Sequence, residues 1–353
     1  MPGAGLFAGW AALGSRQATL DSHTERPHDA AAHSSPLGGP MRAVLACIVI
    51  VLVAQFGGLA HAQEAVVTYD NFNSSLLINP HKWFADDFGS RDLEAQRFVQ
   101  GVVGSAALRV EVRSYADTTS NSGGLNGGNV LGFPHANPAI VRVMGATFTV
   151  QAFQSVGCAA NTATPTSAGT ELFGFFFNAG PKVVGSAVND IIAGLRIRRL
   201  SNSTDPANML RVQAFVARCT DAGCNSTATI FNNSSIGTVL VGSPATLRMD
   251  WQPSLNRFLF RLNAGAFIAA PYAVPDSETP GNTFFKRRIG VRNFVANCTT
   301  TSPRPTAFMR SLVDNVFVNT AASIAAPEAG GPEVSGALAG EPGADSAPDV
   351  GSE

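Results

Sequence analysis

Four segments in the middle of this chain alternate apolar and polar positions residue by residue, a period of two that belongs to strands and not to helices. In GLRIRRL, Leu195 and Ile197 fall on one side while Arg196 and Arg198 fall on the other. In LRVQAFVARC, Leu210, Val212, Ala214 and Val216 oppose Arg211, Gln213 and Phe215. In TLRMDWQ, Leu247, Met249 and Trp251 oppose Arg248, Asp250 and Gln252. In RFLFRLN, Phe258, Phe260 and Leu262 oppose Arg257, Leu259 and Arg261. Side chains on a strand point alternately to the two faces of a sheet. Each segment therefore needs a second layer against its apolar side, and its arginine side is expected to be wet.

The rest of the chain extends the pattern. Candidate strands fall at 66–72, 94–99, 107–115, 140–154, 170–178, 190–200, 208–219, 227–232, 245–252, 257–263, 287–296 and 308–319. Gly, Pro, Asn and Ser separate them, and no long amphipathic helix interrupts them. This spacing predicts an all-β antiparallel sandwich or barrel. Phe173, Phe175 and Phe177 alternate with Leu172, Gly174 and Phe176, which marks a strand buried on both sides. Asn121–Gly128 (NSGGLNGG) and Ala159–Ala168 read as flexible loops.

The compartment follows from an apolar run that begins well inside the chain. Met41 and Arg42 precede the run Ala43–Ala60, and Ala60-His61-Ala62 offers a small-x-small cleavage pattern, so residues 41–62 read as a secretion signal. Residues 1–40 read as lying upstream of the true initiator, and the mature β-sandwich domain as running over 63–320. An uncleaved anchor is the rival reading, because the run is just long enough to span a bilayer. Residues 321–353 are rich in Ala, Gly, Pro and acidic side chains, lack Lys and Arg, and are expected to be disordered. The expected location is periplasmic or extracellular, with no membrane contact once the signal is cleaved.

Cysteine usage agrees. Of five cysteines, Cys47 lies in the signal, leaving Cys158, Cys219, Cys224 and Cys298 in an oxidising compartment. Four cysteines allow three pairings. The short loop Cys219–Cys224 closes naturally on itself, which leaves Cys158 with Cys298. A metal site is the competing reading, but CxxC spacing and neighbouring histidines are both missing. Lys+Arg number 24 and Asp+Glu 25 over the whole chain, with a mild basic excess in the core. That balance does not describe a nucleic-acid binder.

Three segments resemble the concanavalin A-like lectin/glucanase superfamily, which includes laminin G-like modules. Near the start, YDNFNSSLLINPHKWF and Leu108-Arg-Val-Glu-Val-Arg113 are similar to its opening strands. In the middle, PATLRMDWQPSLNRFLFRLNAGAFIAAP is similar to its central hairpin, with Trp251 as core aromatic and Asn263-Ala-Gly265 in the turn. At the end, FMRSLVDNVFVN is similar to its closing strand, which pairs back near the opening one. The resemblance implies a two-sheet antiparallel jelly-roll sandwich whose concave sheet often binds glycans. It also implies a structural calcium, for which Asp70 and Asp314 are the matching residues. No other cofactor is called for.

Catalytic motifs are sparse. The superfamily's glucanases carry E-x-D-x-E, which sets two carboxylates on one strand face; this chain lacks it. Asp92-x-Glu94 and Asp276-x-Glu278 are the D-x-E pairs of the core, and the second lies between Pro275 and Pro280 in a predicted loop. A lyase needs a Tyr or His base, and the core offers His81, His135, Tyr69, Tyr115 and Tyr272 without a lyase motif around them. G-x-S-x-G and H-E-x-x-H are missing too. Arginine suits carboxylates and sulfates because its planar fork grips them in pairs of hydrogen bonds. Arg196, Arg198, Arg211, Gln213, Arg248 and Arg261 are therefore the candidate ligand-binding row, with an anionic or hydroxyl-rich extracellular glycan as partner. The plainer reading pairs the same arginines with Glu171, Asp250 and other carboxylates on a solvated sheet. Three functions stay open: a non-catalytic binding module, a carbohydrate-active enzyme with a diverged site, and a structural surface protein.

Overall fold

A computed structural model describes residues 64–73, 78–85, 88–89, 96–102, 107–133, 140–224, 226–281, 287–300 and 303–324. The expected signal, Asp92, Glu94 and His135 lie outside them, as does nearly all of the expected tail. The strands are β1 (Val66–Asp70), β2 (Phe84–Ala85), β3 (Phe88–Gly89), β4 (Gln96–Val102), β5 (Ala107–Tyr115), β6 (Gly124–Gly132), β7 (Val143–Val156) and β8 (Ser167–Asn178). They continue as β9 (Asp190–Leu200), β10 (Met209–Cys219), β11 (Thr227–Leu240), β12 (Pro244–Gln252), β13 (Arg257–Leu262), β14 (Ile268–Pro271), β15 (Arg288–Ala296) and β16 (Thr306–Asn319). Among the described residues no helix is long and apolar enough to cross a membrane.

Two antiparallel sheets form, and together they are the predicted jelly-roll sandwich. The first runs β14–β13–β12–β7–β16–β5–β4, with β1 also paired to β16. The second runs β11–β10–β9–β8–β15–β6–β2, with β3 also paired to β6. The closing strand does return to the opening one: Val66 lies across from Asn319 and Thr68 from Phe317. The two late strands, β15 and β16, thus sit in the middle of their sheets with earlier strands on both sides.

The apolar faces meet between the sheets. Leu172, Leu195, Ile197, Leu210 and Val212 from the second sheet pack against Phe148, Leu247, Met249, Phe258, Phe260 and Met309 from the first. Trp251 lies on this face as expected, its ring 5.6 Å from that of Phe177 and nearly parallel to it. A register slip between Phe175 and Phe177 turns both Phe176 and Phe177 inward. Both predicted disulfides are present, Cys158–Cys298 and Cys219–Cys224.

Two expectations need correction. The stretch Asn121–Gly128 is not a loop; from Gly124 onward it is β6, paired with β15 from Gly124–Ala296 to Gly132–Arg288. Its glycines suppress strand propensity, but they let aromatic rings lie against the backbone. A Cβ at Gly132 would collide with the Phe84 ring, and one at Gly124 with that of Phe294. The tail also starts later than composition indicates. Thr320–Ile324 is a short helix, tied down where the Thr320 N–H donates to the Ala65 carbonyl and Ala322 is buried.

Candidate functional site

Of the six residues in the predicted binding row, the structure brings four together. Arg196 and Arg198 on β9 and Arg211 and Gln213 on β10 share the outer face of the second sheet, and Arg196 lies directly across from Gln213. Arg248 and Arg261 lie across from each other on β12 and β13, in the first sheet. Alternation within a strand tells which residues share a face; it is silent about which sheet takes the strand. Arg248 binds Asp250 through Nε at 2.7 Å and Nη2 at 2.8 Å. Arg261 lies 4.6 Å from the Phe267 ring centre.

The face expected to be wet is closed at its centre. Glu171 on β8 is 0 % exposed, with Arg196 across from it on β9 and Gly290 on β15. Arg196 Nε donates to Glu171 Oε2 at 2.8 Å, and Arg288 Nε stands 3.9 Å from Oε1. Burial pushes the Glu171 carboxyl upward, but the charges of Arg196, Arg292 and Arg288 together outweigh it and hold the pKa below the usual range. Gly290, across from Glu171, has φ of 152°, and a Cβ there would come within 2.4 Å of the Asn129 carbonyl oxygen on β6. Arg288 and Arg292 were not among the predicted site residues. The segment Arg288-Ile-Gly-Val-Arg292 carries the same period of two, and that was the available signal.

Aromatic rings set the guanidinium planes. Arg196 lies over Phe215 at 4.3 Å and Arg288 over Phe173 at 4.4 Å, geometry that favours a cation on a ring face. Phe173, Phe175, Ile192, Phe215, Ala217 and Cys219 form a small second apolar cluster here. The Cys219–Cys224 loop closes beside it, with the Ala187 N–H donating to the Ala222 carbonyl. Removing this bridge by Cys219→Ser with Cys224→Ser is expected to cost about 2 kcal/mol on the loop-closure relation. Thermal denaturation checks it; a melting point equal to the native one would contradict the loop's role.

One row further along the strands the arginines reach solvent. Arg198 faces Arg211 on β10 and Gly169 on β8, and Arg292 stands beyond Gly169. Arg211 is clamped by Asp205, Nε at 2.6 Å and Nη2 at 2.7 Å, and that fork holds the Asp205 pKa down to about 2. Arg292 donates to Asn126 at 3.2 Å. Arg198 makes no hydrogen bond or ion pair among the described residues. Burial, then the charge of Arg196, lowers its pKa to about 10, so it stays protonated at neutral pH. Like charges facing each other across strands are unfavourable. Thr238, exposed on β11, lies across from Arg211, whereas Asn232 lies across from Phe215 and accepts from Gln213 at 2.6 Å.

Both predicted calcium ligands are engaged by hydrogen-bond donors. Asp70 accepts from the Phe72 N–H at 2.9 Å and from Trp83 Nε1 at 2.8 Å, and the Lys82 ammonium lies 3.9 Å away. Asp314 accepts from the backbone and the side-chain amide of Asn315. Among the described residues no group of three His, Cys, Asp or Glu side chains is placed to hold a metal. The other candidates have structural partners. Tyr272 donates to Asp276 and accepts from Trp251, Tyr69 donates to the Lys82 carbonyl, Arg304 lies over Tyr115, and His81 is exposed.

No family model matches the chain, and no curated protein does. Several solved structures are similar to it. An alginate lyase matches at 13 % identity and a TM-score of 0.31, covering 73 % of this chain and 98 % of its own. The mixed-linkage glucan glycoside hydrolase of family 16 from Bacteroides ovatus matches at 8 % identity and a TM-score of 0.39, covering 72 % and 98 %. A non-specific endo-β-1,3(4)-glucanase of family 16 matches at 12 % identity and a TM-score of 0.38, covering 73 % and 92 %.

Proposed function

We propose that the outer face of the second sheet is a non-catalytic binding surface for an anionic glycan. Arg198 carries the reading: a half-buried guanidinium with no acceptor among the described residues, facing Arg211 across the sheet. A carboxylate or sulfate lying over Arg198 relieves the repulsion along its row and supplies the missing acceptor. Thr238, exposed across from Arg211, offers a hydroxyl to the sugar alongside. Glu171 supports a binding role over a catalytic one. It is sealed from solvent and held ionised, so it neither reaches a ligand nor donates a proton near neutral pH. It is the counter-charge that fixes Arg196 beneath the exposed row.

The test is a panel of neutral, carboxylated and sulfated polysaccharides, scored for both retention and product release by the purified mature chain. Retention of anionic members, weakening with salt, and none of neutral members is the expected result. Arg198→Gln should weaken it about tenfold, the loss of one charge-assisted contact, with no change in melting temperature. Release of shortened products would turn the reading toward an enzyme. Equal retention by the Arg198→Gln variant would remove the site from this face.

A further inference from the structure

The outer face of the first sheet carries arginines as well, placed there by the same alternation. Val110 and Val112 point into the core, so Arg109, Glu111 and Arg113 on β5 point away from it. On β16 the outward residues Phe308 and Arg310 lie across from Arg113 and Glu111. Glu111 accepts from Arg109 Nη2 at 3.0 Å and from Arg310 Nε at 2.6 Å. Arg113 has no such counter-charge. It lies 4.4 Å from the Phe308 ring centre, donates to the neutral Gln154 amide at 3.2 Å, and forms no ion pair among the described residues. Solvent reaches this patch: the Arg109 and Arg310 side chains are 32 % and 35 % exposed, and Gln154 is exposed beside them.

The patch and the row around Arg198 stand back to back. Asn293 on β15, buried between the layers, donates through Nδ2 to the Val112 carbonyl at 3.1 Å and to the Ala307 carbonyl at 3.0 Å. That amide fixes the two sheets at one level. Its neighbour Arg292 turns outward on the second sheet, in the same row as Arg198 across Gly169. The neighbours of Val112 and Ala307, Arg113 and Phe308, turn outward on the first. Sheets packed face to face lie about 10 Å apart, so the two cationic groups open onto opposite sides of one slab.

We propose that this patch is a second anion-binding site, and that the protein joins two anionic glycan chains, one on each outer face. The joining rests on the proposed role of the Arg198 row. Charge complementarity chooses the occupant. Three guanidinium groups stand around the Glu111 carboxylate, and Arg113 keeps its charge for a sulfate or carboxylate of the polymer. The Phe308 ring is covered by Arg113 and Arg310, so it offers no stacking platform to a neutral sugar.

Two probes test the sites and the joining. Sucrose octasulfate is too compact to reach round the sandwich, and calorimetric titration of the full mature chain should find two molecules bound. Arg113→Gln and Arg198→Gln should each weaken one site about tenfold and leave the other. An effect confined to Arg198→Gln overturns the second site. An effect confined to Arg113→Gln overturns the glycan reading of the Arg198 row, and the joining with it. Dextran sulfate, a long polyanion, should produce light scattering that peaks at intermediate ratios and clears in excess polymer. Arg113→Gln should stay bound to dextran sulfate and keep the native melting temperature, but scatter about tenfold less. Arg142→Gln removes an exposed arginine at the far end of β7 from Gln154, and should scatter as the native chain does. If it scatters as little as Arg113→Gln, bulk charge alone is responsible and the proposal falls. It falls equally if the native chain binds dextran sulfate without scattering, since one polymer then wraps both faces.

Discussion

Replacing Glu171 with glutamine is expected to lower the melting temperature by on the order of 10 °C at neutral pH, for a loss of about 3–5 kcal/mol. The substitution preserves shape and removes charge. Arg196 then remains against Phe215 with its Nε opposite a neutral amide instead of an anion. Removing both members, by Glu171→Gln with Arg196→Gln, should destabilise by less than the sum of the single changes, because the uncompensated charge goes with its partner. The pH dependence has a definite sign. The folded carboxyl titrates below its ordinary value of 4.5, so its contribution is complete above that value and fades as pH falls through the lower folded one. Melting curves of the native chain should therefore fall faster on acidification below about 4.5 than those of Glu171→Gln. Parallel curves would show that the carboxylate does not anchor the face.

The second large effect is expected from the long disulfide. Cys158–Cys298 joins residues 140 positions apart and fastens the segment after β7 to the end of β15. Opening it by Cys158→Ser with Cys298→Ser should cost about 4–5 kcal/mol on the chain-entropy relation, roughly 10–15 °C in melting temperature. Asn161 bonds the Gly123 and Asn297 carbonyls beside the bridge at 3.0 and 3.1 Å, and these contacts should loosen with it. Denaturant titration of native and double variant measures the difference. A loss below about 1 kcal/mol would mean that the reduced chain already holds the two ends together.

Much of this architecture is legible in residue order, and the illegible parts have physical causes. Strands 107–115 and 190–200 match to the residue, because both alternate sharply and end at turn-forming neighbours. β6 was hidden by its own glycines, whose lack of side chains reads as flexibility but serves ring contact with Phe84 and Phe294. The site was half legible. Arg196, Arg198, Arg211 and Gln213 follow from periodicity, while the separation of Arg248 and Arg261 depends on which sheet each strand joins, a property of distant pairing. Glu171 was visible as a counter-charge, but its complete burial depends on what lies over the face. Arg287, fully buried, is the least legible of all, since nothing in a Lys-Arg-Arg run tells which guanidinium turns inward.

The positions of β15 and β16 bear on how such a chain is made. Each slots between strands synthesised long before it, β15 between β6 and β8 and β16 between β5 and β7. Neither layer can zip up until the ribosome has delivered almost the whole polypeptide. Pairings across such sequence distances are slow to form. A nascent product that stops short of Arg288 would lack the middle of both layers and be left for proteolysis.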